Sequence, residues 1–128
     1  MADCLFCKII AGQIPAKLVH QDELSVGFMD INPQAPTHAL FVPRRHIATL
    51  NEATVEDREL FGHLMFCAAK VAREKGYTDS GYRAVMNTNR EAGQTVFHVH
   101  FHVIPKWGAE DGLQIPGGEA SPRIAPLG

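Results

Sequence analysis

Three histidines alternate with apolar residues over positions 98–104, in the run His-Val-His-Phe-His-Val-Ile. Side chains of a β-strand point alternately to opposite faces, so His98, His100 and His102 are expected to share one face while the apolar residues face a core. Neighbouring imidazoles would then lie roughly 6.5–7 Å apart along the strand. The pattern predicts a half-buried strand with three groups that can act as nucleophile, proton carrier or metal ligand near neutral pH.

The composition limits the class of protein. A chain of 128 residues is long enough for one domain whose core needs no disulfides. The net charge of −2 provides no basic field for nucleic acid, and no run approaches the roughly 18 apolar residues of a membrane span. The first residues lack the features of a signal peptide, and three cysteines are an odd set. We therefore expect a cytoplasmic protein with reduced thiols or metal ligands, and neither nucleic acid nor a membrane as partner.

The apolar periodicity predicts an α+β fold on an antiparallel sheet. A short helix is expected over residues 4–11, and a long helix from about Thr54, a suitable N-cap, to Lys75. Five short strands complete the fold. Their expected positions are residues 17–20, 24–29, 39–43, 81–87 and 96–104.

Two segments lack periodic structure. Pro33 and Pro36 make residues 30–37 an extended loop, because each proline removes a donor and biases its predecessor away from helix. The stretch 108–128 is rich in Gly and Pro. We therefore expect one domain over residues 1–107, followed by a tail.

The histidine strand favours nucleophilic catalysis. A histidine can accept a phosphoryl or nucleotidyl group on one ring nitrogen when an acceptor holds the other. His100 is the natural candidate, since a histidine lies two positions away on each side. His98 and His102 would orient its ring or donate to phosphate oxygens. His20 and His63 have no partner that the sequence identifies, so they receive no role.

Donors for a phosphate group precede this strand. Gly93-Gln94-Thr95 would supply backbone N–H groups and a hydroxyl, and glycine permits close approach of the chain. Asn87 would supply an amide from across the hairpin. An ordinary turn is the alternative interpretation of the Gly-Gln-Thr run.

A metal site is a competing interpretation. His-x-His with a third imidazole resembles a zinc-binding face. Separately, Cys4 and Cys7 have metal-ligand spacing, and His46 and His98 would complete a set of four ligands. The alternative is that both cysteines are small residues on one side of a short helix. The residues by themselves leave these interpretations open.

A second unusual stretch begins at Asp30. The carboxylate stands beside apolar Phe28 and Ile31, a combination that suits ribose hydroxyls and a base with apolar walls. A simple turn residue is the alternative. His38 enters an apolar strand, so we expect it to be buried and hydrogen-bonded, either as a core histidine or behind the catalytic one.

The run 98–104 resembles the signature of the histidine triad family, His-φ-His-φ-His-φ-φ, in which φ is apolar. The resemblance covers about residues 5–104. It includes Asp30, the Pro-Gln-Ala-Pro-Thr-His run at 33–38 and the Gly-Gln-Thr run at 93–95. The 33–38 run is similar to that of the Hint branch, the purine nucleoside phosphoramidases.

The resemblance implies a nucleotide hydrolase or transferase that works by double displacement at the α-phosphorus. His100 would form a nucleotidyl-histidine intermediate, and His102 would bind a phosphate oxygen. His98 and His38 would orient and tune the triad. Thr95, where the Hint branch usually has serine, would reach the phosphate or the leaving group.

The resemblance also implies a purine nucleotide site, a homodimer and no cofactor for catalysis. Asp30 would bind ribose, and two five-stranded sheets would join into one of ten strands. The other expected nucleotide contacts are Asn87, Gly93, Gln94, Thr95, Ile31, Phe28, Phe6, Leu5 and Ile9. Some family members bind zinc with ligands that match Cys4, Cys7, His46 and His98, and such a zinc would be structural.

The chain departs from the Hint branch after the triad, where Ile-Pro-Lys-Trp-Gly at 104–108 replaces the usual Gly-Gly pair and a distinctive tail follows.

We expect hydrolysis of an adenosine or guanosine 5′-phosphoramidate to AMP or GMP and an amine. The alternatives are a dinucleoside polyphosphate hydrolase of the same fold, a nucleotide-binding scaffold with incidental hydrolysis, and a catalytic zinc hydrolase.

Overall fold

A computed structural model describes residues 3–30 and 38–105 of the chain. These residues form α1 (Leu5–Ile10), β1 (Leu18–Gln21), β2 (Ser25–Met29), β3 (Ala39–Pro43), α2 (Arg58–Glu74), β4 (Tyr82–Val85) and β5 (Phe101–Pro105). All strand pairs are antiparallel, in the order β1-β2-β3-β5-β4. The predicted α+β fold, a five-stranded antiparallel sheet with one long and one short helix, is confirmed. The strands β1 to β4 begin and end within two residues of their predicted segments.

Part of the predicted organisation lies outside the described residues. The boundary between the domain (1–107) and the tail (108–128) falls there, as does the proline loop from residue 31 to residue 37. Within the two described ranges, no helix is long and apolar enough to cross a lipid bilayer.

The long helix begins with the predicted cap. The Thr54 hydroxyl accepts from the Glu56 N–H, and the Asp57 carboxylate accepts from the Thr54 N–H, which together form a capping box. The first turn, Val55–Asp57, is a 3-10 helix, so the predicted α-helix from Thr54 to Lys75 is α-helical only over α2. Gly76, with φ of +85°, ends the helix in the left-handed conformation that glycine favours.

Alternate residues of β3 face opposite sides of the sheet and enter two cores. Leu40 and Val42 face the side of α1, whose core also contains Phe6, Ile9, Val26 and Phe28. Ala39 and Phe41 face the side of α2, whose core also contains Cys67, Ala68, Val71 and Val103. Each helix therefore covers one face of the sheet.

The strand that carries the histidines begins later than predicted. β5 begins at Phe101 instead of at residue 96, so His102 is the one histidine of the triad within it. Continuing the register of β5 with β3 would set Val99 opposite Pro43, whose nitrogen carries no hydrogen. The Val99 N–H donates instead to the Ile47 carbonyl over 2.8 Å. Proline thus ends the ladder, and the preceding histidines lie outside regular β-structure.

Gly27 lets β2 and β3 approach each other closely. It pairs with Phe41 across the ladder, and a Cβ on Gly27 would lie 2.6 Å from Phe41 Cε2. The Phe41 side chain is fully buried against α2, with 0% exposure. A close-packed ring in this position has no space into which to move.

We expect Gly27→Ala to lower the free energy of unfolding by about 1–3 kcal/mol, the usual cost of overpacking a filled core. Phe41→Leu in the same chain makes room for the added methyl group. The double variant should therefore lose less than the sum of the two single variants. Chemical denaturation of the wild-type chain and the three variants measures these free energies, and strict additivity would contradict the steric explanation.

Candidate active site

His38 and His102 form a buried pair. His38 precedes β3 and His102 lies in β5, and His38 Nε2 is 2.8 Å from His102 Nδ1. Asp30 Oδ2 lies 3.3 Å from the same nitrogen of His38. A carboxylate beside this nitrogen favours a proton on it, so His38 donates to His102, whose own proton is then on Nε2. The prediction that His38 is buried and hydrogen-bonded is confirmed.

His100 is held by the backbone of another triad residue. Its Nδ1–H donates to the His98 carbonyl oxygen over 2.7 Å. In the neutral ring this leaves the lone pair on Nε2. The rings of His100 and His102 have centroids 4.8 Å apart, closer than the predicted 6.5–7 Å. His100 lies before the start of β5, so the regular strand repeat does not set this separation.

The imidazole of His98 lies beside Pro43, Cys4 and His46. Its Nε2–H donates to the Pro43 carbonyl over 2.8 Å, and its Nδ1 lies 3.4 Å from Cys4 Sγ and 3.2 Å from His46 Nδ1. Burial lowers the pKa of His98 to about 4, so the ring is neutral near pH 7 and Nδ1 carries a lone pair. Phe6 of the α1-side core meets the rings of both His98 and His100, at 6.0 and 5.0 Å between centroids, so the imidazoles share one side of the sheet as predicted. The prediction that one strand carries all three is wrong, because β5 begins only at Phe101.

The sequence-predicted metal ligands come together around His98 Nδ1. Cys7 Sγ lies 3.6 Å from His98 Nδ1 and 3.4 Å from His46 Nδ1, and the ligand atoms of all four residues, Cys4 included, are within 4.8 Å of one another. Zinc at about 2.0–2.1 Å from nitrogen and 2.3 Å from sulfur sets tetrahedral N–N edges of about 3.3 Å and S–N edges of about 3.5 Å. The four side chains therefore fit a tetrahedral zinc.

The side chain of Gln94 stabilises the loop before the triad. It is 1% exposed, and its Oε1 accepts from the Asn89 N–H over 2.7 Å. Its amide nitrogen donates to the carbonyls of Ala48 and Val96 over 2.8 and 3.1 Å. All of these contacts are made within the protein, so this side chain shapes the loop.

The backbone amides of Gly93 and Gln94 are expected to donate to a phosphate, but in the structure they donate to carbonyls of the protein. The Gly93 N–H donates to the Arg90 carbonyl over 3.0 Å, and the Gln94 N–H donates to the Asn89 carbonyl over 3.1 Å. Both therefore close a turn. Thr95 is the exposed residue of this run.

The predicted base-binding aromatics belong to the core on the α1 side. Phe6 and Phe28 are 3% and 1% exposed and meet edge to face at 5.4 Å between ring centroids. Phe6 also meets the His100 ring at 5.0 Å with an interplanar angle of 90°. Ile9 is buried in the same core. Phe6 therefore packs directly against the His100 ring, and Phe28 and Ile9 belong to the same core.

The remaining predicted nucleotide contacts are distributed around this core. Asp30, Leu5 and Asn87 are half-buried. Leu5 and Thr95 line a surface cavity of about 540 Å³, within the usual size range of small-molecule sites. Ile31 lies outside the described residues.

The HIT-domain family model matches residues 11–108. The chain belongs to the HIT family. It is 44% identical over 102 residues to the purine nucleoside phosphoramidase of Escherichia coli K12, an alignment that covers 80% of this chain and 86% of that protein.

Solved HIT structures have the same fold. A HIT family hydrolase from Legionella pneumophila Philadelphia 1 is 42% identical with a TM-score of 0.81, over 92% of this chain and 100% of that chain. A histidine triad protein from Clostridium difficile is 34% identical with a TM-score of 0.82, over 93% of this chain and 98% of that chain.

Sequence reasoning missed two groups in the site, the carbonyl oxygens of Pro43 and His98. Each accepts from an imidazole and selects which ring nitrogen carries the proton. Every residue has a carbonyl, so no side-chain pattern identifies them. The path of the backbone determines which ones the imidazoles reach.

We expect the stability of the chain to fall with decreasing pH in a way that depends on His38. Burial lowers the pKa of His38, although Asp30 opposes this shift, and His100 lowers the pKa further. Below about pH 6.5, the usual pKa of histidine, this residue is protonated in the unfolded chain but still neutral in the folded chain. Proton binding then favours the unfolded chain, so the free energy of unfolding decreases as the pH falls. His38→Gln should flatten this part of the profile of unfolding free energy between pH 8 and 5. Parallel profiles for the two proteins would exclude this contribution.

Proposed function

We propose that this HIT-family hydrolase cleaves a purine nucleoside 5′-phosphoramidate to AMP or GMP and an amine, through a nucleotidyl intermediate on His100. The observation that carries the proposal is the hydrogen bond from His100 Nδ1 to the His98 carbonyl, which leaves a nucleophilic lone pair on Nε2. The similarity to a purine nucleoside phosphoramidase supports the substrate class.

The reaction takes place in two displacements. In the first, His100 Nε2 attacks the α-phosphorus, the P–N bond breaks, and the amine nitrogen takes up one proton from solvent as it leaves. In the second, water attacks the same phosphorus and returns one proton to solvent, and the bond to His100 breaks, which releases the nucleoside monophosphate and restores the imidazole. The His98 carbonyl stabilises the positive charge that the ring of His100 gains while its Nε2 is bonded to phosphorus.

His102 supplies a hydrogen bond to the developing charge on phosphate oxygen. Its Nδ1 accepts from His38, so its Nε2 carries the proton and donates. His38 is a positioning residue in this arrangement, because it acts on the phosphate through the tautomer of His102. Asp30 in turn favours the proton on His38 Nε2, and a carboxylate with two oxygens can also accept from a ribose hydroxyl.

The remaining contacts hold the nucleotide for in-line attack. Thr95 offers an exposed hydroxyl for the phosphate or leaving group, and Asn87 offers an amide. Gly93 and Gln94 shape the loop that carries Thr95. The base is expected to contact the apolar group formed by Leu5, Phe6, Ile9, Phe28 and Ile31.

We expect His100→Asn to lower kcat by about 10⁴-fold or more, since removal of a nucleophile leaves only binding and electrostatic assistance. Nucleotide affinity should change little, because Asn keeps a polar side chain of smaller size. A rapid-quench single turnover with labelled adenosine phosphoramidate should trap an acid-labile adduct on wild-type His100 and none on the variant.

Two results would contradict the proposal. One is substantial turnover by purified His100→Asn, which would exclude this residue as nucleophile. The other is faster turnover of a diadenosine polyphosphate than of adenosine phosphoramidate, which would keep the nucleophile and change the leaving group. Arg44→Gln, at an exposed residue in the loop after β3, is the control.

We also propose that Cys4, Cys7, His46 and His98 hold a structural zinc. The separations of their ligand atoms match the edges of a zinc tetrahedron. The Pro43 carbonyl orients His98 with Nδ1 toward the site, as outer groups commonly do for zinc-bound imidazoles. The ion would tie α1 to the loop after β3 and to the triad segment. Reduced thiols in this role suit a cytoplasmic location.

We expect Cys4→Ser/Cys7→Ser to lose one zinc per chain and to unfold at lower temperature, because the ion stabilises only the folded site. Native mass spectrometry and thermal unfolding measure the two effects. Ala11→Ser, at the exposed end of α1, is the matched control. Unchanged zinc content in the double variant would exclude the site.

A homodimer is the assembly that we propose. Among the described residues, β4 is an edge strand that pairs only with β5, and α2 exposes Met65 by 55% and Phe66 by 67%. Pairing of β4 with its copy would join the two sheets into ten strands and bring the α2 helices together. Sedimentation should give the mass of two chains for the wild type and of one for Phe66→Glu, and a wild-type monomer at high concentration would contradict the dimer.

A further inference from the structure

A second group of metal-ligand side chains lies on the opposite face of the sheet from the triad. His102 pairs with Leu40, which faces the side of α1, whereas this group adjoins the core on the side of α2. We call it the hairpin–helix cluster. It consists of His20 in β1, Asp22 in the β1–β2 turn, and His63 and Cys67 in α2.

Three of these side chains converge on one carboxylate oxygen of the fourth residue, Asp22. Asp22 Oδ2 lies 2.7 Å from His20 Nε2, 2.8 Å from His63 Nε2 and 3.5 Å from Cys67 Sγ. His63 Nε2 is also 3.4 Å from Cys67 Sγ. Of the four residues, His20, Asp22 and Cys67 form the set whose ligand atoms all lie within 4.8 Å of one another. His63 adjoins this set through its contacts with Asp22 and Cys67.

The backbone and a hydroxyl fix the direction of this carboxylate. Asp22 Oδ1 accepts from the N–H groups of Leu24 and Ser25, each over 2.8 Å, and from the Ser25 hydroxyl over 3.0 Å. These bonds hold the turn and direct Oδ2 toward α2. His63 and Cys67 are four residues apart, which puts both on one face of the helix. The cluster is therefore built by three chain segments that each have a fixed position.

We propose that the hairpin–helix cluster is a second site for a transition-metal ion of the zinc class. Two imidazoles, a carboxylate and a thiolate are donors that zinc and cobalt accept, whereas magnesium and calcium prefer oxygen alone. The S–N separation of 3.4 Å between Cys67 and His63 is close to the edge of about 3.5 Å in a zinc tetrahedron. The side chains of His20 and His63 are 13% and 32% exposed, so the ion enters from solvent.

Uptake of the ion changes two hydrogen bonds into coordination. The two N–O contacts of 2.7 and 2.8 Å widen to about 3.3 Å, the edge that bound zinc requires. Each imidazole moves its proton from Nε2 to Nδ1, and the Cys67 thiol loses its proton to solvent. One divalent ion therefore replaces one proton, and no electron is transferred.

A metal ion here would connect the β1–β2 turn to α2, on the face of the sheet away from His100. It would stabilise the fold without contact with the substrate, at a location separate from the zinc proposed at Cys4 and Cys7. If the cluster binds no metal, hydrogen bonds alone hold it together. The cobalt spectrum described below distinguishes a bound ion from this outcome.

The test uses cobalt as a spectroscopic probe. Cys4, Cys7 and Cys67 are the three cysteines of the chain, so Cys4→Ser/Cys7→Ser leaves Cys67 as its sole thiol. Addition of one equivalent of Co²⁺ to this variant should produce a thiolate-to-cobalt charge-transfer band with the visible bands of a tetrahedral ion. A third change, Cys67→Ser, should abolish the charge-transfer band, and His63→Gln should weaken the apparent affinity at least about 10-fold.

A second measurement covers the case in which the double variant does not fold. In the chain with Cys4 and Cys7 intact, Cys67→Ala should bind one ion per chain fewer than the wild type after metal removal and reloading. This difference is independent of whether the first zinc site exists. Absence of the band in a double variant with a wild-type circular dichroism spectrum would overturn the proposal, as would equal metal content in the wild type and Cys67→Ala.

Discussion

The site depends on the buried residue His98, whose backbone and side chain contact different groups. The carbonyl of His98 accepts the Nδ1 proton of His100, while the imidazole of His98 is held by the Pro43 carbonyl and directs Nδ1 toward two cysteines and His46. The backbone position of His98 therefore orients the imidazole of His100, and its own ring connects that backbone to the cysteines beside α1. Ring and carbonyl belong to one residue, so the packing around Cys4, Cys7 and His46 and the orientation of the His100 ring are coupled.

Burial determines the protonation of this assembly. Low polarity around His38 and His98 lowers the pKa of each, so both rings are neutral near pH 7. A neutral imidazole has one donor and one acceptor, so each carbonyl or carboxylate beside a ring decides which nitrogen donates. The order of donors from His38 to His102 follows from that rule and from the position of Asp30. The direction of the hydrogen bond between His38 and His102 is thus a consequence of how these residues pack.

The sequence predicted most of the fold because its signals are local. The capping box at Thr54, the apolar stripe of α2 and the alternation of β3 depend on neighbours within one or two turns. The start of β5 was missed because Pro43 affects a strand that comes more than fifty residues later in the chain. Likewise, no sequence signal pairs His20 with His63. Both contact Asp22 only because the β1–β2 hairpin packs against α2.

Sequence alone determined the fold class, the family resemblance and the residue types available for chemistry, because periodicity and motif spacing are properties of the chain itself. It also identified Cys4, Cys7, His46 and His98 as one candidate ligand set, which the fold then brings together. Only the tertiary structure decided the tautomers, the separate environment of His98 and the gathering of the hairpin–helix cluster. These depend on which distant carbonyls, carboxylates and thiols come within hydrogen-bond distance, and that is set by how the strands and helices pack.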